Sequence, residues 1–363
     1  MGASTMKELE RLHQLGQSIW LDNLTRNMLQ DGTLQRYINE YSVTGLTSNP
    51  STFEKAIRDS DLYDEAIRRL AHAGLTTEEL FFELALQDLR QAAELFRPVH
   101  QTSHKLDGWV SLEVSPLLAD DTEGTIRAAV DLHKRAQRPN LFIKIPGTPA
   151  GIPAIEEAIF FGVPVNVTLL FSREQYLSAA QAYVRGIERR LDAGLDPHVH
   201  SVASVFVSRW DAAVHDKVPS GMRNRLGIAI GKSTYKAYNE MLVSYRWRSL
   251  AEKGAPPQRL LWASTGTKDP QASPTLYVEA LAAPNTINTM PDKTLLAFAE
   301  KGKVKDVLAE QGGDAETELA EFSRAGVDPG ALAEKLQREG AQAFVKSWTE
   351  MLERIASKRA TLA

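Results

Sequence analysis

Short apolar runs rich in β-branched residues recur along this chain, separated by longer stretches whose apolar positions repeat with helical spacing. The short runs predict strands over Ser18–Asn23, Val43–Asn49, Trp109–Val114, Leu141–Ile145, Pro164–Phe171, His200–Arg209, Arg259–Ser264 and Asn285–Met290. Between them the spacing predicts helices over Thr76–Leu95, Thr122–Arg135, Ile152–Phe160, Ser172–Ala193 and Ser233–Leu250. The first of these carries Leu80, Leu84, Leu89 and Leu95 behind a Thr-Thr-Glu-Glu start with capping-box character. The stretch from Pro50 to Trp109 exceeds what one crossover needs and should hold additional helices. After Pro291 no strand pattern returns; Pro329–Ala356, with Leu332, Leu336, Phe344, Trp348 and Leu352, reads as an amphipathic helix packed on the outside of the fold. Strand followed by helix, eight times over, argues for a parallel sheet, and eight such units close a barrel. The predicted fold class is α/β: a single (β/α)8 TIM barrel with additional helices and a C-terminal helical extension. With no internal repeat, low-complexity tract or linker, the chain reads as one domain over 1–363, with barrel strands about 18–290 and the extension about 291–363.

Composition narrows the function classes. A formal net charge of -4 across 363 residues gives no basic field to recruit nucleic acid. The absence of cysteine excludes disulfides, thiol nucleophiles and thiolate metal sites. Residues Met1 to Leu15 mix charges among few apolar positions, unlike a signal peptide, and nowhere is there an apolar run of membrane length. A cytoplasmic protein without membrane or nucleic-acid partners is the expectation.

The strands carry the chemistry. Phe142-Ile143-Lys144-Ile145-Pro146 puts a lysine inside an apolar segment, and burial disfavours the charged form of an amine, leaving it nucleophilic near neutral pH. Lys144 is thus a candidate Schiff-base former; a lysine snorkelling to solvent beside the Pro146-Gly147 turn is the alternative this segment leaves open. Other strands decide between them, because barrel catalysis sits at strand C-terminal ends. Polar residues stand at those ends: Asp22, Asn49, Glu113, Asn166 with Thr168 on one face, Arg209 and Ser264. Each alone could be a cap, a turn residue or a satisfied core hydrogen bond. Together they suit one reaction. An amine condensing with a ketone needs groups to move protons and activate water, for which Glu113 and Thr168 are placed; cleaving a carbon–carbon bond then needs a base, Asp22, with the iminium as electron sink. Asn49 and Asn166 would hold the hydroxyls of a three-carbon fragment, and Arg209, with Ser204 and Lys268, would take a phosphate.

At this point the chain resembles the transaldolases, lysine-dependent (class I) aldolases of the pentose phosphate pathway, and among them the longer bacterial form. The resemblance covers nearly the whole chain and is most specific in Leu46-Thr47-Ser48-Asn49-Pro50-Ser51, Ile143-Lys144-Ile145-Pro146, Asn166-Val167-Thr168-Leu169-Leu170-Phe171-Ser172 and Asn285-Thr286-Ile287-Asn288-Thr289-Met290-Pro291. It implies Lys144 as the imine lysine, Asp22 as the acid–base in cleavage, and Glu113 with Thr168 positioning the catalytic water. It further implies Asn49 and Asn166 at the dihydroxyacetone moiety and Ser204, Phe206 and Arg209 at the acceptor and phosphate. The implied reaction moves a dihydroxyacetone unit from sedoheptulose 7-phosphate or fructose 6-phosphate to glyceraldehyde 3-phosphate or erythrose 4-phosphate, with no cofactor and no metal, in a monomer or homodimer. One departure stands out: better-known members of the family carry a second arginine two positions after the serine equivalent to Ser264, where this chain has Gly266, leaving Lys268 as a substitute. A lysine aldolase releasing free dihydroxyacetone and a noncatalytic sugar-phosphate-binding barrel are the rival readings. The second requires Lys144 to be fully protonated and to lie far from Asp22 and Glu113.

Other signals do not build sites. Gly227-Ile228-Ala229-Ile230-Gly231-Lys232-Ser233 has three residues between its glycines where a P-loop has four, and reads as a helix start capped by Ser233. His198 with His200, and His100 with His104, lack a carboxylate set for a metal and read as loop or strand-edge residues. Glu156 and Glu157 read as a solvated helix side, and Trp210 as a core or interface aromatic.

Overall fold

The computed structural model describes residues 6–362. All eight predicted strands form: β1 Gln17–Asp22, β2 Val43–Thr47, β3 Val110–Glu113, β4 Leu141–Pro146, β5 Val165–Leu170, β6 Ser201–Phe206, β7 Arg259–Ala263 and β8 Thr286–Met290. They are parallel and ordered β2-β1-β8-β7-β6-β5-β4-β3. The ring is completed between the outer two by a bridge from Gly45 to Trp109, with Leu46 N donating to Trp109 O at 2.9 Å. This seam depends on Gly45, because a Cβ there would lie 2.7 Å from the Trp20 ring and 2.9 Å from Trp109 O.

Strand alternation sorts the side chains. Ile19, Leu21, Ile143, Ile145, Val165 and Val167 pack outward against the helices, while Trp20, Phe142, Val202, Leu261 and Ile287 fill the interior. The base of the barrel is thereby plugged: Trp109 stacks on Phe142 with ring centroids 4.1 Å apart, and Asp107 accepts from Trp20 Nε1 at 2.8 Å and faces Arg259 at 3.6 Å. Continuing the same alternation one step toward the strand C-termini delivers Asp22, Lys144, Thr168, Ser204 and Thr289 to the open mouth. The plug therefore leaves only that end for a site.

The extra helices expected between Pro50 and Trp109 are Pro50–Arg58, Asp64–Leu70 and Thr77–Thr102, the last starting with the Thr76–Glu79 capping box that its sequence promised. Several local expectations are corrected. Strand β6 ends at Phe206, so Arg209 does not close it but sits in the short helix Ser208–Val214, which turns Trp210 into the core. Ser233 is no cap: the helix begins at Leu226, where Asp211 accepts from the Leu226 and Gly227 amides at 2.9 and 3.1 Å, and Ser233 is buried within it. That helix stops at Val243, and extended Ser244 caps a separate one, Tyr245–Ala251. His100 is a buried helical residue whose Nδ1 lies 2.9 Å from Asp107 O, not a loop residue. Glu156 and Glu157 pair with Arg189, and Glu156 also with Arg185. Finally, the helix Pro329–Leu362 is not confined to the barrel exterior. It packs on Pro50–Arg58 and Asp64–Leu70 but also reaches β5 and carries Phe344 to the barrel mouth. Among the described residues no helix is long and apolar enough to cross a membrane.

Candidate active site

Three neighbouring strands in register build the centre of the site. Glu113 of β3 pairs with Lys144 of β4, and Lys144 with Asn166 of β5, so parallel registry sets the three side chains at one level on the inner face. Lys144 Nζ donates to Glu113 Oε2 at 3.0 Å and to Ser48 O at 3.0 Å, and only 5% of the lysine is exposed. Burial pushes the Glu113 carboxyl above its ordinary range, against the pull of the Lys144 charge. The snorkelling alternative for Lys144 is excluded by that burial.

Asp22 ends β1 beside this pair. Its Oδ1 accepts from Thr47 Oγ1 at 2.9 Å, and Thr47 shares a second hydrogen bond of 2.8 Å with Thr289, so two flanking strands hold the carboxylate in place. Burial raises its pKa, the Lys144 charge opposes that rise, and Asp292 adds to it. Next to it, Asn23 donates to Asp292 at 2.6 Å, fixing the turn that follows the strand.

Beyond Asn166 the β5 strand carries an irregularity in its pairing with β6, and Leu169 there takes the left-handed conformation at φ 57°. Thr168, just before it, lines the cavity with a buried Oγ1 that has no protein partner. An unsatisfied buried hydroxyl is costly, and one facing a cavity is set to meet a water or a substrate atom. Asn166 itself is fully buried one layer below, donating to Ser111 Oγ at 3.2 Å and accepting from Ser204 Oγ at 2.7 Å. Asn49, just past β2, caps the helix Pro50–Arg58: its Oδ1 accepts from Thr52 N at 3.1 Å and Ser51 Oγ at 2.6 Å, so its oxygen is occupied by the cap.

These residues enclose a cavity of about 250 Å³ with Asp22, Asn49, Lys144, Thr168 and Ser204 on its inner wall. On the opposite side are Phe206, Arg209, Ser264, Gly266, Lys268 and Phe344. The Arg209 guanidinium lies 5.1 Å from the Phe206 ring; burial lowers its pKa against the opposing pull of Asp22, and a guanidinium keeps its charge in proteins. Ser264, left-handed at φ 53°, shares a 2.9 Å hydrogen bond with Ser208. A Cβ at Gly266 would meet nothing closer than 3.4 Å, so no steric demand explains the glycine. Among the described residues no group of three metal-ligating side chains gathers.

Of the polar strand residues named from the sequence, Asp22, Lys144, Thr168 and Ser204 line this cavity, while Glu113 and Asn166 stand behind them and reach it through Lys144 and Ser204. The sequence missed Thr47, Thr289, Ser111 and Asp292, which hold them, and Phe344. The alternation that puts Thr289 two residues after Ile287 on the inner face could have found it; the spatial neighbours Asp292 and Phe344 have no such signal.

The chain matches the model of the family described as transaldolase/fructose-6-phosphate aldolase over residues 19–355. It is 43% identical to a transaldolase of Saccharopolyspora erythraea over 359 residues, covering 97% of this chain and 98% of the relative. A transaldolase of Thermobifida fusca is 43% identical over 361 residues, with 97% and 98% covered, and a transaldolase 2 of a Nostoc species 39% identical over 373 residues, with 97% and 98% covered.

Proposed function

The chain belongs to the transaldolase/fructose-6-phosphate aldolase family and is an enzyme with transaldolase activity, and we propose that it works through an imine on Lys144. The observation that carries this reading is the buried Lys144–Glu113 contact of 3.0 Å, made by a lysine that lines a cavity together with Asp22 and Thr168. The noncatalytic reading, which needs the lysine apart from Glu113, has no support in that distance.

The residues divide the work as follows. Glu113, its basicity enhanced by burial, takes a proton from the Lys144 ammonium, and the freed amine adds to the ketone carbon of the donor. Proton transfer to the resulting hydroxyl expels water and leaves the iminium; the unpartnered Thr168 Oγ1 and Glu113 hold that water, and later return it. Asp22 takes the proton of the C4 hydroxyl, the C3–C4 bond breaks, and its electron pair flows into the iminium to give the enamine while the aldose leaves. The acceptor aldehyde is then attacked by the enamine carbon, and its oxygen recovers the proton from Asp22. Hydrolysis of the new imine releases the ketose and the lysine. Asn49 and the Asn166–Ser204 pair orient the three-carbon unit, and Arg209 with Ser264 and Lys268 receives the phosphate.

Sugar phosphates are the substrate class of the family. As donors we assign sedoheptulose 7-phosphate and fructose 6-phosphate, as acceptors glyceraldehyde 3-phosphate and erythrose 4-phosphate, in the cytoplasm. The barrel and its C-terminal extension are taken as one domain, since Phe344 of the last helix lines the cavity. The test is incubation with fructose 6-phosphate and erythrose 4-phosphate. Formation of sedoheptulose 7-phosphate and glyceraldehyde 3-phosphate is expected; release of free dihydroxyacetone without transfer would assign the protein to the aldolase branch instead.

A further inference from the structure

The last helix, Pro329–Leu362, presents Gln337, Gly340 and Phe344 on one face, spaced by three and four residues. All three are turned to the barrel mouth. Buried Gln337 donates through Nε2 to Gly147 O at 2.9 Å and Leu169 O at 3.0 Å, the carbonyls that follow the Lys144 and Thr168 positions of β4 and β5. At Gly340 a Cβ would come within 2.9 Å of Leu169 Cδ2 and 3.2 Å of Arg209 Nη1, so the missing side chain lets the helix lie directly against the arginine. Phe344 follows a turn later, its ring centre 6.0 Å from Lys144 Nζ and 6.0 Å from the Arg209 guanidinium carbon. Further along, Lys358 donates to Ser60 O at 2.9 Å and Asp64 at 2.6 Å, and Arg359 to Leu75 O at 2.7 Å and Ala71 O at 2.8 Å. The helix is therefore latched on both sides of Phe344, as a fixed roof.

Resting on the transaldolase reading above, we propose that Phe344 is a specificity-determining residue: it closes the lysine cavity against bulk water so that the enamine is discharged by an acceptor aldehyde and not by hydrolysis. The competing discharge balances without any further reagent. The enamine carbon takes a proton to give the dihydroxyacetone iminium, water adds to its carbon–nitrogen bond, and that bond breaks to release dihydroxyacetone and the lysine amine. Phe344 supplies an apolar wall that comes from neither the strands nor their loops, its ring beside the nucleophile. Its ring also lies within cation–π reach of the Arg209 guanidinium, which helps to hold it over the cavity. Excluding solvent from a reactive intermediate in this way suppresses its side reaction.

The test compares free dihydroxyacetone released from fructose 6-phosphate alone with sedoheptulose 7-phosphate formed when erythrose 4-phosphate is added. The ratio of the two rates does not depend on how much enzyme is folded, so a merely structural loss leaves it unmoved. Phe344→Ala should raise the release-to-transfer ratio by about tenfold or more, and Phe344→Tyr should restore it to within about twofold of the wild type. Should the alanine variant lose the fold, Phe344→Val opens the same gap with a bulkier stub and is read in the same way. A folded alanine or valine variant with the wild-type ratio would overturn the proposal while leaving transaldolase activity intact. A wild type that transfers nothing would overturn the transaldolase reading and this proposal with it.

Discussion

Lys144 Nζ and Glu113 Oε2 stand 3.0 Å apart on adjacent strands in register, both side chains buried. An ammonium in that position is useful as a nucleophile only after it gives up a proton, and the carboxylate that pairs with it is the group placed to take it. Glu113→Gln keeps the shape and removes the base. Imine formation should slow by about 10²-fold or more, read as the rate of borohydride-trappable adduct in a single turnover. An unchanged trapping rate would move this proton transfer to another group.

Asp22 acts later in the same account. In Asp22→Asn the imine should form at near the wild-type rate, while cleavage slows by about 10²-fold or more and trapped adduct accumulates as the six-carbon species. A correctly folded variant that forms no imine would place Asp22 upstream of cleavage.

The same carboxylate carries a stability consequence. Burial raises the Asp22 pKa above 3.8, so the folded state binds the proton more tightly than the unfolded one. Stability from this group is then fully present below its unfolded pKa and lost as pH rises through the folded value. Asp22→Asn keeps the shape and removes the titrating group, so stability should rise above that of the wild type once the pH exceeds the unfolded pKa, a trade of activity for stability. That gain should vanish in acid below the unfolded pKa. Thermal melts of both proteins across pH check the sign; a gain that grows toward acid contradicts it.

At the corner proposed for the phosphate, Arg209 is a half-buried cation, and Gly266 has room for a side chain. Arg209→Ala should cost phosphorylated substrates more than about tenfold in kcat/KM and barely affect unphosphorylated fructose, since charge-assisted hydrogen bonds contribute about 1.5–3 kcal/mol each. Lys268→Ala is the comparison. Equal losses would show the lysine standing in for the arginine that Gly266 displaces; no loss in either would place the phosphate elsewhere.

Much of this was legible in the chain because strand alternation is a local rule. Once Phe142 and Lys144 are read as alternate residues of one strand, both must face the same side, and the inward polar residues of the other strands follow. Arg209 was misplaced because Val205-Phe206-Val207 continues the β-branched and aromatic pattern past the point where the Ser208 helix begins; only the burial of Trp210 reveals the turn. Ser233 was misread because its cap chemistry is equally available in a helix interior, whereas the real cap, Asp211, comes from another helix. The Phe344 roof was illegible for a different reason. An amphipathic helix shows which face is apolar but not which surface that face meets, and this one meets both the outer helices and the barrel mouth.

Every role assigned above depends on Lys144 becoming covalently bound to the donor. That attachment is tested most directly by borohydride reduction in the presence of fructose 6-phosphate, followed by peptide mass mapping. A three-carbon or six-carbon adduct is expected on the peptide containing Lys144 and should be lost in Lys144→Ala. An adduct on another lysine, with Lys144 unmodified, would contradict that assignment.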